Sequence, residues 1–202
     1  MKKQNALLLM LVMSLLFATA SIAIGNTLND IPAPPAIGTT IEDFSLSDTT
    51  GKEKSLSVLK GQKGTVLIFI SVQCPVSNDY NERMEKLAQD YKARGINVIG
   101  INSNVAESLD AVKAHAGENN LTFTILKDPG NKIADRLGAT KTPEAYFLDA
   151  DSKLVYHGRI DNSRNPSGVN STELRDALDA VLAGKPVAKT SAMAFGCTIK
   201  RA

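Results

Sequence analysis

Cys74 is the residue whose type and position most clearly predict chemistry. It follows an apolar, β-branched stretch, residues 64–71, and stands directly before Pro75, a residue type favoured at the first position of a helix. Free backbone N–H groups at a helix start favour thiolate over thiol, and the thiolate is the reactive form. A lone cysteine is otherwise usually a buried, inert core residue. The strand-to-helix placement favours a reactive thiol here.

Cys197 is the only other cysteine in the chain. It lies in the tail that follows the last predicted helix, and at ~3.3 Å per residue this tail is long enough to reach many points on a domain of this size. Three interpretations stay open. Cys197 could resolve oxidised Cys74, it could form a static disulfide that clasps the tail to the active site, or it could pair with another chain.

Alternating strand and helix patterns position the first thiol. Two apolar runs of strand length, residues 64–71 and 96–101, flank a helical stripe that ends at Gly95, so we expect a βαβ unit with parallel strands. A short strand with a hairpin precedes this unit. A helix capped by Ser108, an antiparallel hairpin and a last helix capped by Ser171 follow it. The pattern predicts an α/β fold.

The first 23 residues have the three parts of a secretory signal: Lys2 and Lys3, an uncharged apolar run, and then small residues. An uncleaved membrane anchor is the alternative, because residues 6–24 carry no charge over about the length that crosses a bilayer. Residues 24–36 contain three prolines and predict an extended linker. We expect one domain over residues 37–184, a tail over residues 185–202, and a periplasmic or secreted location.

Charge and histidine spacing argue against two kinds of ligand. Once Lys2 and Lys3 leave with the signal, 21 basic and 21 acidic residues remain, interspersed along the chain, so we expect no basic face for nucleic acid. His115 and His157 are far apart and have no Glu or Cys at ligand spacing. We therefore expect no metal site and no cofactor.

Five segments, in order along the chain, form a more specific pattern. They are Cys74-Pro75-Val76, Ile101-Asn102-Ser103-Asn104, Thr142-Pro143-Glu144, His157-Gly158-Arg159-Ile160-Asp161 and Gly196-Cys197-Thr198-Ile199-Lys200. Together they resemble a peroxiredoxin-like subgroup of the redoxins (alkyl hydroperoxide reductase and thiol-specific antioxidant branch), over about residues 37–182. The resemblance implies a thioredoxin-like α/β fold in which helices flank a central mixed sheet.

The resemblance also implies roles around the thiol. In proteins of this fold the proline of such a Thr-Pro pair is cis and lies against the active cysteine, which gives Pro143 that position beside Cys74. Glu144 would then be a proton relay or a solvated strand end. By the same resemblance, the residues expected to contact substrate surround the thiol: Ser71, Gln73, Pro75, Ser77, Thr142 and Glu144.

Two departures from the family pattern bear on the reaction. A thioredoxin-type dithiol has its second cysteine where this chain has Ser77, so Cys74 cannot close a local disulfide. Peroxiredoxins have proline and threonine where this chain has Leu67 and Ser71, and no arginine starts the strand at Ala145 to polarise a peroxide. The Ser71 hydroxyl could replace the threonine, but the set is incomplete, which favours a disulfide over a peroxide as substrate.

We therefore expect an exported thiol oxidoreductase in which the Cys74 thiolate attacks a disulfide. A peroxide reductase that passes through a sulfenic acid is one alternative, and a non-catalytic binding module with a structural bond between Cys74 and Cys197 is another. The expected partners are protein or small-molecule disulfides, with peroxides as the alternative substrate, and an external thiol reductant. The oligomeric state stays open.

The leader predicts processing of the chain. Mass spectrometry of the protein isolated from its native cells should find an N-terminus between Ser21 and Asn26, because small residues at suitable spacing end the apolar run there. Recovery of intact Met1 in the membrane fraction would instead show that the leader is an anchor.

Overall fold

The computed structural model describes residues 32–201 of the chain. Its strands are β1 (Ser45–Asp48), β2 (Glu53–Ser55), β3 (Gly64–Ile70), β4 (Ile96–Asn102), β5 (Thr124–Lys127), β6 (Lys141–Thr142), β7 (Glu144–Asp149), β8 (Leu154–Gly158), β9 (Ser191–Ala192) and β10 (Cys197–Thr198). Its helices are α1 (Leu56–Leu59), α2 (Pro75–Asp79), α3 (Asn81–Lys92), α4 (Leu109–Glu118), α5 (Lys132–Leu137) and α6 (Glu173–Leu182). Eight strands form one sheet in the order β2-β1-β5-β4-β3-β7-β8-β9, and β10 pairs with β6 separately.

The main sheet is mixed, as predicted. Strand β3 pairs in parallel with β4, from Gly64 opposite Ile96 to Ile70 opposite Asn102. On its other side β3 pairs antiparallel with β7, and β7 and β8 form the expected antiparallel hairpin. The predicted βαβ unit is therefore confirmed, and β3 lies in the middle of the sheet with Cys74 just beyond its end.

The alternation of side chains along β3 feeds two hydrophobic cores, one on each face of the sheet. Val66, Ile68 and Ile70 belong to one cluster, which also contains residues of α3 and α6. Leu67 and Phe69 belong to the other, which also contains residues of α5 and β1. Every residue of β3 is buried, which explains its continuous apolar sequence. Because both faces of β3 are packed, the strand holds Cys74, just beyond its end, in a fixed position.

The helix that we expected to run unbroken from Pro75 to Gly95 is two helices, which meet at Tyr80 (φ −96°, ψ −5°). Tyr80 is buried, and its hydroxyl donates to Asp161 Oδ1 at 2.6 Å and lies 2.9 Å from the Ser163 carbonyl oxygen. We attribute the break to this long-range anchor, which helical periodicity does not reveal.

The last helix begins later than predicted. Helix α6 starts at Glu173 with Thr172 at its N-cap, so the assignment of Ser171 as the cap is wrong. The N–H of Ser171 instead donates to Asn162 Oδ1 at 3.1 Å, and its carbonyl accepts from the Asn162 N–H at 3.2 Å. These two bonds hold Ser171 in the loop before the helix.

The tail is more ordered than its weak periodicity indicates. Strand β9 extends the main sheet by pairing in parallel with β8, and β10 pairs antiparallel with β6, with Cys197 opposite Thr142. Strands of two residues are too short to produce a sequence pattern. The tail is therefore attached to the domain on both sides of the loop over residues 193–196.

No helix within residues 32–201 combines the length and apolar character needed to cross a bilayer. The predicted signal over residues 1–23, and most of the predicted linker, lie outside the described residues. The proposed leader and domain boundaries therefore stay predictions.

Asp128 provides a test of how the loops at this end of the sheet are held. Its buried carboxylate accepts bonds from the Ser103 hydroxyl (2.8 Å) and from the N–H groups of Ile133 and Ala134. Asp128→Ala would leave these donors unpaired, so we expect the free energy of unfolding in urea to fall by roughly 2–4 kcal/mol. The exposed Asp151→Ala is the control and should change it by less than about 0.5 kcal/mol. Equal effects would contradict the assignment.

Candidate functional site

Cys74 is the N-cap residue of α2, directly after the buried strand β3. Its sulfur accepts a hydrogen bond from the Ser77 N–H at 3.3 Å, and as a thiol it donates to the Thr142 carbonyl at 3.2 Å. The residue is only 2% exposed. The predicted position of this cysteine at a strand-to-helix junction is confirmed, and its sulfur faces the loop before β7.

Opposing effects act on the acidity of this thiol. Burial tends to raise the pKa of Cys74, but the side chains of Cys197 and Thr142 and the Ser77 N–H favour the thiolate and outweigh it, so the pKa lies below the ordinary thiol value. The Thr142 hydroxyl is buried and has no hydrogen-bond partner among residues 32–201, which leaves its hydrogen available to a thiolate. The site therefore favours the nucleophilic form of Cys74.

Cys197 is the second thiol of the site. It pairs across β10 and β6 with Thr142, the same residue that contacts Cys74. Both cysteines are free thiols in the structure. Hydrogen bonding to Cys74 raises the pKa of Cys197, and burial and the charge of Cys74 add to the rise. The loop before β7 thus brings the two thiols together, with the pKa of Cys74 lowered and that of Cys197 raised.

The peptide bond between Thr142 and Pro143 is cis, as the family resemblance implied. Pro143 is buried beside Thr142, whose carbonyl oxygen lies 3.2 Å from the Cys74 sulfur. The predicted cis-proline loop therefore lies next to Cys74.

The serines near Cys74 support the backbone around it. The buried Ser77 supplies its N–H to the Cys74 sulfur, and its hydroxyl accepts from the Ser71 N–H at 3.1 Å. The Ser71 hydroxyl accepts from the Cys74 N–H at 3.1 Å and donates to the Glu107 carboxylate at 2.6 Å. Gln73 and Pro75 are exposed, on either side of the thiol. Because a hydroxyl has one hydrogen, Ser71 cannot also donate to a peroxide at Cys74 while this bond holds.

Glu144 is not a solvated strand end, so that expectation is wrong. The residue is 6% exposed, and its carboxylate accepts from the N–H groups of Thr140 (2.8 Å) and Lys141 (2.9 Å) and from the Tyr146 hydroxyl (3.2 Å). These bonds stabilise the turn at residues 140–141, shortly before the cis proline. No bond connects it to Cys74 among the described residues, so its placement in the substrate contact set stays a prediction.

The tail lies over the thiol. Gly196 has φ +145°, and a Cβ atom there would lie 2.0 Å from the Thr142 carbonyl oxygen. Beyond Cys197, the N–H of the buried Ile199 donates to the Thr140 carbonyl at 3.0 Å, and Arg201 Nη2 donates to the Ala139 carbonyl at 2.6 Å. Glycine is therefore required for this close approach of the tail to the loop.

Sequence reasoning missed the carboxylate that organises the loop before Cys74. Glu107 is 3% exposed and lies shortly after the end of β4. In this part of the sequence we singled out only residues 101–104, which do not include it. Its two oxygens accept from Ser71, Val72, Gln73 and Asn102. Burial tends to raise the pKa of Glu107, but these bonds lower it overall, so the group is ionised. The position of Glu107 near the end of β4, the parallel neighbour of β3, was the sequence signal that could have placed it at the site.

The arrangement of these residues defines the class of protein. A cysteine at the N-cap of a helix, after a central strand and opposite a cis-proline loop, is the arrangement of a thioredoxin-like fold. No group of three or more His, Cys, Asp or Glu side chains is placed to hold a metal ion within residues 32–201.

Comparison with known proteins gives the family. The AhpC/TSA family model matches residues 37–157. The thiol-disulfide oxidoreductase ResA of Bacillus thuringiensis (strain Al Hakam) is 31% identical over 119 residues, which are 59% of this chain and 67% of the relative. The chloroplastic peroxiredoxin Q of Sedum lineare is 30% identical over 141 residues, 65% of this chain and 74% of the relative. The chain belongs to the AhpC/TSA family, in its peroxiredoxin-like branch.

Among solved structures, a hypothetical protein of Sinorhizobium meliloti 1021 is 36% identical to this chain. The two superpose with a TM-score of 0.77, over 83% of this chain and 96% of the other. The thioredoxin-like fold expected from the sequence is confirmed.

The hydrogen bond from Cys197 can be tested by titration. Ser at position 197 keeps a hydroxyl donor, whereas Ala has none, so Cys74 should ionise at a higher pH in Cys197→Ala than in Cys197→Ser. Because folding lowers the pKa of Cys74, this thiol should ionise at a lower pH in the folded serine variant than in the same variant unfolded in urea. The ultraviolet absorbance of the thiolate measures both. Identical midpoints in the two variants would show that the Cys197 side chain does not affect Cys74.

Proposed function

We propose that this protein is a thiol-disulfide oxidoreductase that uses Cys74 as the attacking thiolate and Cys197 as the second thiol. The observation that carries the proposal is the placement of the two thiols: Cys74 caps α2 beside the cis-proline loop, and Cys197 lies opposite Thr142 of that loop. The lowered pKa of Cys74 and the raised pKa of Cys197 support it. Such a pair has one nucleophile at a time, which two-step exchange requires. The name and sequence of the Bacillus relative support the same chemistry.

In the first step the Cys74 thiolate attacks one sulfur of a substrate disulfide. A bond forms between Cys74 Sγ and that sulfur, the substrate S–S bond breaks, and the other substrate sulfur leaves as a thiolate that takes a proton from water. Because residues 196–198 cover Cys74, this segment must move aside to admit the substrate. The pairing of β10 with β6 is two residues long, so few backbone hydrogen bonds oppose that movement.

The first step itself activates the second. In the mixed disulfide the Cys74 sulfur is no longer a thiolate and carries no charge. Two causes of the raised pKa of Cys197, the hydrogen bond to Cys74 and its charge, are therefore removed. Cys197 then loses its proton more readily and attacks Cys74 Sγ. The bond between Cys74 and Cys197 forms, the mixed disulfide breaks and the second substrate thiol leaves. The substrate is reduced by two electrons, the protein dithiol is oxidised, and an external thiol reductant restores it.

Peroxide reduction is the alternative that the peroxiredoxin Q relative favours, since a sulfenic acid on Cys74 could be resolved by the same Cys197. The site offers less support for it. The Ser71 hydroxyl donates to Glu107, and Leu67 is a fully buried core residue. A donor that polarises the peroxide would have to come from the Thr142 hydroxyl instead.

We also propose that the reaction takes place outside the cytoplasm. The support is the sequence of residues 1–23, with its basic start, apolar run and small residues. An oxidising compartment would supply protein disulfides as substrates and would require a dedicated reductant to keep Cys74 reduced.

Replacement of the second thiol separates the steps. Cys197→Ser should still form the mixed disulfide at Cys74 but should fail to recycle, because a serine hydroxyl cannot displace a disulfide sulfur. Peptide mapping of the oxidised wild type should show a bond between Cys74 and Cys197. The variant should accumulate the mixed disulfide with a model disulfide, or overoxidised Cys74 with peroxide.

Relative rates decide between the functions. Exchange predicts that wild type reacts faster with the model disulfide than with hydrogen peroxide at the same concentration, and the opposite order would favour peroxide reduction. Turnover of Cys197→Ser at the wild-type rate would remove Cys197 from the mechanism. A Cys74 that reacts with neither reagent would support a non-catalytic module.

A further inference from the structure

The carboxylate of Glu107 lies under the turn that leads into Cys74. It accepts from the Ser71 hydroxyl at 2.6 Å and from the N–H groups of Val72 and Gln73, both at 3.0 Å. These are the three residues immediately before the thiol. A buried ionised carboxylate that accepts several bonds is a strong constraint, because removal of any donor leaves a charge poorly solvated. These bonds to Glu107 therefore fix the backbone conformation of residues 71–73.

Ser71 transmits this constraint to the thiol. Its hydrogen is given to Glu107, which turns an oxygen lone pair toward the Cys74 N–H, 3.1 Å away. The Cys74 backbone is thereby held in the N-cap conformation, in which the side chain receives the Ser77 N–H. Glu107 does not touch the sulfur but sets its direction.

The same network continues to the tail. Asn102 donates to Glu107, and its Oδ1 accepts from Lys127 Nζ at 2.7 Å. Lys127 Nζ also donates to the Asn104 carbonyl at 2.7 Å, and Asn104 Oδ1 accepts from the Lys200 N–H, again at 2.7 Å. Asn102 and Asn104 are both buried. Lys200 is three residues beyond Cys197, so the network ends on the segment that carries the second thiol.

The charges in this network are complementary. Lys127 is partly buried and burial lowers its pKa, while the charge of Glu107 acts in the opposite direction and favours the ammonium form. The ammonium group and the carboxylate are joined through the amide of Asn102, which bonds to both. The Glu107 carboxylate and the Lys127 ammonium group therefore compensate each other's charge.

We propose that Glu107 and Asn104 are positioning residues for the two steps of the reaction. Glu107 orients Cys74 for attack on the substrate. Asn104 holds the tail docked, which places Cys197 for attack on the mixed disulfide and covers Cys74 before substrate arrives. This assignment rests on the proposed exchange function.

The two ends of the network should affect the two steps differently. Loosening the turn misplaces the nucleophile and slows the first step, since a displacement of about 1 Å can cost up to ~100-fold in rate. Loosening the tail exposes Cys74, which speeds the first step, and withdraws Cys197, which slows the second. A general loss of stability does not produce opposite changes in one variant.

Dithiobis(nitrobenzoate) reports both steps in one stopped-flow trace. Attack by the Cys74 thiolate forms the mixed disulfide and releases one coloured thionitrobenzoate anion. Attack by Cys197 then forms the intramolecular disulfide and releases a second anion and a proton. The first phase depends on reagent concentration, whereas the second does not, so the two rates separate.

Glu107→Gln should slow the first phase about tenfold, measured at the alkaline plateau where Cys74 is fully ionised. The matched control is Glu85→Gln, because Glu85 is a buried carboxylate that holds Thr122 through its N–H and hydroxyl, both at 2.6 Å, away from the thiols. Ser71→Ala should show the same first-phase loss and serves if Glu107→Gln does not fold.

At the same alkaline plateau, where the pKa of Cys74 no longer limits the rate, Asn104→Ala should speed the first phase and slow the second, each by about fivefold, since one hydrogen bond to the tail is lost. Asn104→Asp keeps the accepting oxygen and should restore both rates. The matched control is Asn97→Ala in β4, which loses the 2.6 Å bond to the Leu59 carbonyl and should leave both phases unchanged.

Several results would overturn the assignment. One is a first phase in Glu107→Gln, or in Ser71→Ala, that matches Glu85→Gln. Another is an Asn104→Ala trace that matches Asn97→Ala or is slowed in both phases. If wild type shows no second phase, the exchange function and the role of Asn104 both fail. The comparison of Glu107→Gln with Glu85→Gln still decides the role of Glu107.

Discussion

The hydrogen bonds that converge on the sulfur of Cys74 are the interactions on which the site depends. A buried sulfur ionises only if donors replace the water it has lost, and here the donors come from three separate parts of the chain. Ser77 belongs to α2, Thr142 to the cis-proline loop and Cys197 to the tail. The helix start, the loop and the tail therefore all contribute to the ionisation of the thiol, which makes its pKa a property of the complete fold.

The bonding of the Ser71 hydroxyl, together with Leu67 and the absence of an arginine before Ala145, separates this site from the peroxiredoxin pattern. A hydroxyl at this position has one hydrogen, and Glu107 receives it. The Ser71 hydroxyl therefore holds the backbone at Cys74 and does not donate to a bound peroxide. Membership of a family whose name refers to peroxide reduction is thus compatible with a site built for exchange, because function depends on the groups around the thiol and not on the fold.

The parts of the structure that follow from local patterns could be predicted, and the parts that depend on distant contacts could not. The apolar run of β3 and the proline after Cys74 were sufficient to place the thiol. Glu107 is far from Ser71 in sequence and resembles any acidic residue before a helix, so its burial became evident only with β4 beside β3. The break at Tyr80 likewise depends on Asp161, a partner that periodicity cannot reveal.

Anchoring of the tail at β9 and again beyond β10 has a consequence for the reductant. Met193, in the loop between the anchors, is 88% exposed, while Cys197 stays next to Cys74. A thiol held in this way acts at an effective molarity that can reach roughly 10⁵ M, which no dissolved thiol approaches. Ring closure would then outcompete small cellular monothiols, and reopening the ring would require a reductant that is itself a dithiol. The tail therefore restricts which electron donors can serve this protein.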